Sequence, residues 1–351
     1  MQIRLNDRLL RALALAALVA GAPLHAAGQL ASHPDRESAL ALAQTVDSRP
    51  TVNQLYAFTV SGSTPEALNL LQLTRNRGDW PLPARDLALQ RYAEQLRDLP
   101  ASAVATELLD WLEAHEPLTW VPHEDHAGGL VPLFNLRATI AGVQNAWQRQ
   151  EAMLEGLALL NSSARALADA WLIETRTASR AGYLQALEQA GDAQLRQLGR
   201  HAARRASRQP ELAPLAGYAA LLGGQFETLA EVLTLEPSAD TARLLRAAGQ
   251  RLEPADAARL LARLVKTAPA PTASLAIAAL HPRAPAETSK QLLQLLGDPV
   301  LGASAALALA HEPGSDLQAR LRKLSKSADP VTAARARLAL APQASMEDAR
   351  P

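Results

Sequence analysis

The chain has 351 residues, with 35 Lys+Arg set against 35 Asp+Glu, 48% hydrophobic residues and no cysteine. That length suits two or three domain-sized units, and that apolar content is ample for a folded core. Balanced charge removes the whole-chain electrostatic case for a nucleic-acid binder, and zero cysteine excludes disulfides, thiolate zinc sites, Fe–S clusters and cysteine nucleophiles.

Residues 1–26 read as a secretory signal. Arg4 and Arg8 make a positive start, an apolar run covers 9–22, and the stretch from Pro23 to the small residues Ala26 and Ala27 closes it, which places cleavage after Ala26 with Ala27 as the alternative. The run is too short for a stable membrane span, which needs about 20 apolar residues. No cysteine follows, so a lipoprotein anchor is excluded, and no later stretch is long and apolar enough to cross a bilayer. Loss of 1–26 leaves 32 basic against 34 acidic residues. The expected location is the periplasm or the exterior, with no integral membrane span after cleavage. That compartment permits disulfides, so a chain without them relies on packing.

Residues 27–115 form an expected N-terminal helical region. Thr64, Pro65 and Glu66 open a helix through 67–75, and 83–96 and 102–115 are further amphipathic runs. Residues 116–133 break the pattern: Pro117, Pro122, Pro132 and the pair Gly128 and Gly129 argue against a helix and predict a loop. A loop of this length in a compact protein tends to serve binding. The central region, 134–225, returns to helical spacing. Leu136, Ile140, Val143 and Trp147 fall on one face, and 164–174, 183–190 and 192–206 continue the series. No segment shows strand alternation, so the chain reads all-α.

Internal repetition marks 226–341, ahead of a tail at 342–351. Asp298, Pro299, Val300, Ala303, Ala305, Leu307, Ala308, Leu309 and Ala310 recur 31 residues later as Asp329, Pro330, Val331, Ala334, Ala336, Leu338, Ala339, Leu340 and Ala341. A fainter copy starts at Pro269, with Ala273, Ser274, Ala276 and Ala278 at an offset of 30, and Pro237 lies about one period further upstream. In each clear copy Asp is set to cap a helix running to Ala310 or Ala341, and Pro suits the first helical position because its missing N–H had no intrahelical partner. Partner helices lie between: Ala257, Leu260, Leu261, Leu264 and Val265 form one stripe, Ser289, Leu292, Leu293 and Leu296 the next, and Leu317, Leu321 and Leu324 a third. Leu307 and Leu338 are expected in the stacked core. All twelve aromatic residues lie between Tyr56 and Phe226, so the region ahead of the array is built differently.

The repeated segment resembles the HEAT-like repeat family, in particular short members whose units open on Asp-Pro. The resemblance covers about a third of the chain and departs from longer units, whose period is about 40–47 residues. It implies an α-solenoid of antiparallel helix pairs, preceded by a more irregular helical region that carries the aromatics. Such repeats serve as scaffolds and binding surfaces, and the resemblance brings no catalytic residue with it.

Two clusters carry candidate chemistry. His123, Glu124, Asp125 and His126 combine imidazoles and carboxylates, and no Lys or Arg occurs between Arg97 and Arg137. These ligand types could hold a divalent metal through His123 and His126, yet the spacing is i, i+3 in a loop where a zinc protease helix needs i, i+4. Beside the metal, the cluster suits either a polar loop that contacts a partner, with Trp120 beside it, or a solvated loop bonded only to itself, and no cofactor is expected. Arg196, Arg200, Arg204 and Arg208 repeat every four residues on one helical face, flanked by His201 and Arg205. That stripe suits either an anionic surface in the envelope or pairing with acids on a neighbouring helix. Of the tryptophans, Trp111, Trp147 and Trp171 are expected in the core, while Trp120 either anchors the loop or faces a partner.

No nucleophile elbow, Ser-x-x-Lys pair, phosphate loop or dinucleotide fingerprint is present. The expectation is an exported, non-enzymatic scaffold or adaptor binding a protein or peptide in the cell envelope, with no nucleic-acid partner. The alternatives are a metal-dependent envelope hydrolase using His123 and His126, and a binder of anionic surfaces through the arginine stripe.

Overall fold

The computed structural model describes residues 33–126, 128–312 and 314–347. The expected signal segment, 1–26, lies outside the described residues. The described chain is all-α apart from one short hairpin, and no helix in it is long and apolar enough to cross a membrane. It divides into two compact units, the division falling after Trp147.

The first unit holds α1 (Arg36–Gln44), α2 (Arg49–Ser61), α3 (Thr64–Asn76), α4 (Leu82–Leu96), α5 (Ala103–Glu113), the strands β1 (Trp120–Pro122) and β2 (Leu130–Pro132), and the start of α6 (Leu136–Ser162). Local chemistry sets the helix starts. Asp35 accepts from Ser38 N at 2.8 Å, Ser102 accepts from Ala105 N at 3.1 Å, and α2, α3 and α4 each place proline in the first turn. Helix α4 is the centre of the unit and packs on α1, α2, α3 and α5. Its Leu89, Tyr92 and Leu96 are fully buried among Leu55, Leu71, Leu108, Leu112, Ile140 and Val143. Buried polar groups find partners: Thr59 Oγ1 donates to Leu55 O and lies 2.7 Å from Tyr92 Oη, so the phenol donates to it. Burial pushes the Tyr92 phenol up to about 12. Trp147 donates from Nε1 to Leu96 O at 3.0 Å and is core, as expected, whereas Trp111 is only half-buried.

The second unit continues from α6 through α7 (Ala164–Ile173), α8 (Thr177–Leu187), α9 (Asp192–Ala206), a 3-10 turn (Pro210–Leu212), α10 (Ala213–Leu222), α11 (Phe226–Val232), α12 (Thr241–Arg251), α13 (Pro254–Thr267), α14 (Ala270–Leu280), a second 3-10 turn (His281–Arg283), α15 (Pro285–Leu295), α16 (Gly302–Ala310), α17 (Ser315–Leu324) and α18 (Pro330–Glu347). Trp171 is fully buried and donates from Nε1 to Glu211 O at 2.7 Å. From α8 onward the principal contacts follow chain order. The even helices α8, α10, α12, α14, α16 and α18 pack each on the next, the odd helices α9, α11, α13 and α15 do likewise, and α13–α14, α15–α16 and α17–α18 join the two series. The expected stripes of α13 and α15 face inward: Ala257, Leu260, Leu261, Leu264 and Leu292 are buried.

Glycine lets the even series come close. A Cβ at Gly249 of α12 would collide with the carbonyl oxygen of Ala279 in α14, and one at Gly217 of α10 with the side chain of Leu244 in α12. Side-chain volume at either point would force the helices apart.

The two clear repeats differ from expectation in three respects. Helix α16 starts at Gly302 and not at Pro299, because the Asp298 carboxylate accepts from Val300 N and Leu301 N at 2.8 Å each and shapes a turn before the helix. Asp329 accepts from Thr332 N at 2.9 Å and starts α18 at Pro330. The tail expected from 342 is helical as far as Glu347. Leu307 and Leu338 are exposed, by 56% and 48%, while Ala305, Ala306, Leu309, Ala336 and Ala339 are buried. Leucines of one size lie on both faces of α16, so it is the orientation of the helix, with Ala305, Ala306 and Leu309 turned inward, that leaves Leu307 outside.

Candidate functional site

The segment expected as a loop is a β-hairpin. β1 and β2 pair antiparallel, with Trp120 opposite Pro132, Val121 opposite Val131 and Pro122 opposite Leu130. The backbone continues the ladder at both ends: Leu133 N donates to Thr119 O at 3.0 Å and His123 N to Gly129 O at 2.9 Å. Gly128 takes φ +87°, a left-handed conformation that favours glycine and lets the tip close. Val121 is fully buried with Ala39 of α1 and with Leu133.

A carboxylate from the second turn of α4 holds the base of this hairpin. Asp86 is 7% exposed and accepts from Leu118 N at 3.0 Å and Thr119 N at 2.8 Å. His115 Nε2 lies 3.4 Å from the same carboxylate, and the His115 ring stacks on Trp111. The N–H groups of Leu118 and Thr119, just ahead of β1, therefore both end on one side chain of α4, which fixes where the hairpin starts.

The polar cluster sits at the far end. Glu124, Asp125 and His126 are exposed and His123 is half-buried. The His123 and His126 rings face each other with centroids 4.6 Å apart, and Asp125 N donates to His123 Nδ1 at 3.0 Å. In that contact Nδ1 is the acceptor. Arg36 of α1 approaches Glu124 at 3.9 Å. Trp120 is 36% exposed and donates from Nε1 to Pro117 O at 3.1 Å, so its indole is tied locally while part of its ring faces solvent. Two imidazoles thus come together, but among the described residues no group of three or more His, Asp or Glu side chains is arranged to hold a metal.

Arg196, Arg200, Arg204 and Arg208 are all exposed, the first three along α9 and Arg208 just beyond its end. Among the described residues none of the four forms an ion pair; Arg200 Nε donates to the carbonyl of Arg196 at 3.2 Å. The nearby carboxylate is already engaged, since Asp169 of α7 pairs with Arg205 at 2.7 Å and with Arg165 at 3.3 Å. His201, half-buried beside them, is held below the usual histidine range by burial first and then by the Arg205 and Arg204 guanidinium groups.

One polar cluster escaped sequence reasoning. His281 is 3% exposed, with Nδ1 at 2.7 Å from Thr288 Oγ1 and Nε2 at 3.4 Å from Glu312, whose carboxylate also accepts from Ser289 Oγ at 2.7 Å. Thr288 Oγ1 donates to Ala284 O at 2.6 Å, so its single hydrogen is spent and His281 Nδ1 is the donor to it. The carboxylate, not the serine, faces the imidazole, so this is not the serine–histidine contact of a hydrolase. The network ties α15 to the 3-10 turn before it and to the end of α16.

No family model matches the chain, and no curated protein or solved structure matches it either.

Proposed function

We propose that the protein is an exported, non-enzymatic scaffold of the cell envelope that binds a protein or peptide, with the hairpin tip as the contact surface. The observation that carries this reading is the hairpin's division of labour. Its base is fastened by Asp86 and by buried Val121, while His123, Glu124, Asp125, His126 and part of Trp120 remain open to a partner. A polar tip on a fastened base loses little conformational entropy on binding. The chain-order packing of α8 to α18 supports reading the second unit as a HEAT-like solenoid. In that reading recognition uses exposed side chains along stacked helices.

Two experiments test this. N-terminal sequencing of the protein recovered from cells should find the chain starting at Ala27 or the following glycine; an intact start at Met1 in a cytoplasmic fraction overturns export. Affinity capture from envelope extract should retain a partner on the parent chain and lose it when 123–126 are replaced by glycine and serine. Equal retention by both would move the contact elsewhere, and no retention by either would overturn the adaptor reading.

A further inference from the structure

We infer that α9 binds a linear anionic polysaccharide along its exposed arginine row. Arg196, Arg200, Arg204 and Arg208 recur every four residues, an axial step of about 6 Å and a span of about 18 Å. No carboxylate occurs between Asp192 and Glu211, and Asp169 is taken by Arg165 and Arg205. The four arginines are therefore exposed, and among the described residues none is paired with an acid, although Asp192 and Glu211 flank the row.

The geometry selects the kind of anion. A single small anion meets one of these arginines at a time, because the row is spread out and not converged on a point. A chain carrying a charge on successive units engages all four, and each contact after the first is intramolecular. Protein interfaces depend on apolar or aromatic anchors at their centre, and α9 offers none: its Leu195, Leu198, Ala202 and Ala206 are buried in the core and no large apolar side chain on it is exposed. A helix that inserts into a membrane surface likewise needs an apolar face free to enter the lipid, and adsorption to anionic headgroups by charge alone is what the vesicle arm of the test below reads. Recognition is then by charge alone, and the even axial spacing of the arginines matches the repeating charge of an extended polymer. The choice of polysaccharide over nucleic acid rests on the proposed export; the arginine row itself does not.

The test uses the full chain and size-fractionated oligogalacturonates, whose sugars each carry one carboxylate. Affinity should rise steeply with length until the oligomer spans about 18 Å and then flatten, and should fall at least tenfold between 50 and 200 mM salt. A variant with Arg196→Gln, Arg200→Gln, Arg204→Gln and Arg208→Gln should lose at least tenfold in affinity with an unchanged melting curve. Its control removes the same charge elsewhere, through Arg320→Gln, Arg322→Gln, Lys323→Gln and Lys326→Gln on and just after α17, all exposed. The control should bind like the parent. Equal loss in both variants means bulk charge alone and overturns the site. Absence of binding, or binding confined to inorganic polyphosphate, a single-stranded oligonucleotide or phosphatidylglycerol vesicles, overturns the polysaccharide. Since N-terminal sequencing reads export independently, a failure of export and a failure of the row are told apart.

Discussion

The N-terminal unit and the array after Phe226 fill their cores with different materials. In 33–147, large side chains with polar handles do the work: Tyr92 bonds Thr59, Trp147 bonds the carbonyl of Leu96, and Asp86 gathers the main chain of the hairpin. After Phe226 no aromatic residue occurs, and the buried residues are chiefly Ala and Leu, with glycine at the crossing of α12 and α14. Polar handles specify an arrangement through individual bonds, each dependent on one residue. Small side chains specify it through the distance at which backbones meet, a property that can be repeated unit after unit. The first unit should therefore fail at single polar residues, and the array at changes of volume.

Asp86→Ala should show one of the two largest effects. It leaves the buried Thr119 N–H and the half-buried Leu118 N–H without an acceptor and should cost about 3 kcal/mol in urea unfolding, with the hairpin loosened. A loss under about 1 kcal/mol would mean that water replaces the carboxylate and that the contrast is overstated. The other belongs to the pair Leu309→Ala and Leu307→Ala. The first removes a fully buried side chain and should cost about 3 kcal/mol, whereas the second, at an exposed position, should stay within about 0.5 kcal/mol. A larger cost for Leu307→Ala would show that the array buries the opposite face, and equal costs that α16 has no distinct inner face.

Gly249→Ala should cost about 2 kcal/mol, because the added methyl meets the Ala279 carbonyl. A neutral result in thermal melting would show that α12 and α14 can part freely. The smallest effect concerns the repeat caps. Backbone hydrogen bonds from Leu301 and Val300 hold the Asp298 carboxyl below the usual carboxylate range, and the Thr332 hydroxyl and N–H do the same for Asp329. A lowered folded value means stabilisation that is complete above the unfolded value of 3.8 and lost as pH falls through the folded one. The melting temperature of an Asp298→Asn and Asp329→Asn double variant should therefore lie below the parent at neutral pH and converge on it in acid. A gap that persists in acid would assign the caps a role other than charge.

How far these arrangements can be read without coordinates depends on where the information lies. Helix starts were legible at Thr64 and Pro65, and the inward stripe of α13 was read correctly at Ala257, Leu260, Leu261 and Leu264, because capping and periodicity act between near neighbours. The arginine row was legible for the same reason, its exposure following from spacing on an amphipathic helix. The hairpin was not, since strands of three residues are too short to display alternation and their prolines signal a break. Asp86 was illegible too: it follows Arg85 in a helix and looks like surface, and its partners are main-chain donors about 30 residues away that no side-chain pattern announces. Leu307 and Leu338 show the limit of repetition as evidence. Their equivalence was visible, but which face each helix turns inward depends on where the next helix lies.

The confinement of aromatic residues to the stretch from Tyr56 to Phe226 makes the chain optically asymmetric. Everything beyond Phe226 neither absorbs strongly near 280 nm nor fluoresces, while its helices contribute fully to the peptide signal. Tryptophan emission thus watches only the chain up to Trp171, and far-ultraviolet circular dichroism watches all of it. If the array melts by itself, ellipticity will fall while emission holds. Without any label, the molecule distinguishes the loss of its repeats from the loss of everything else.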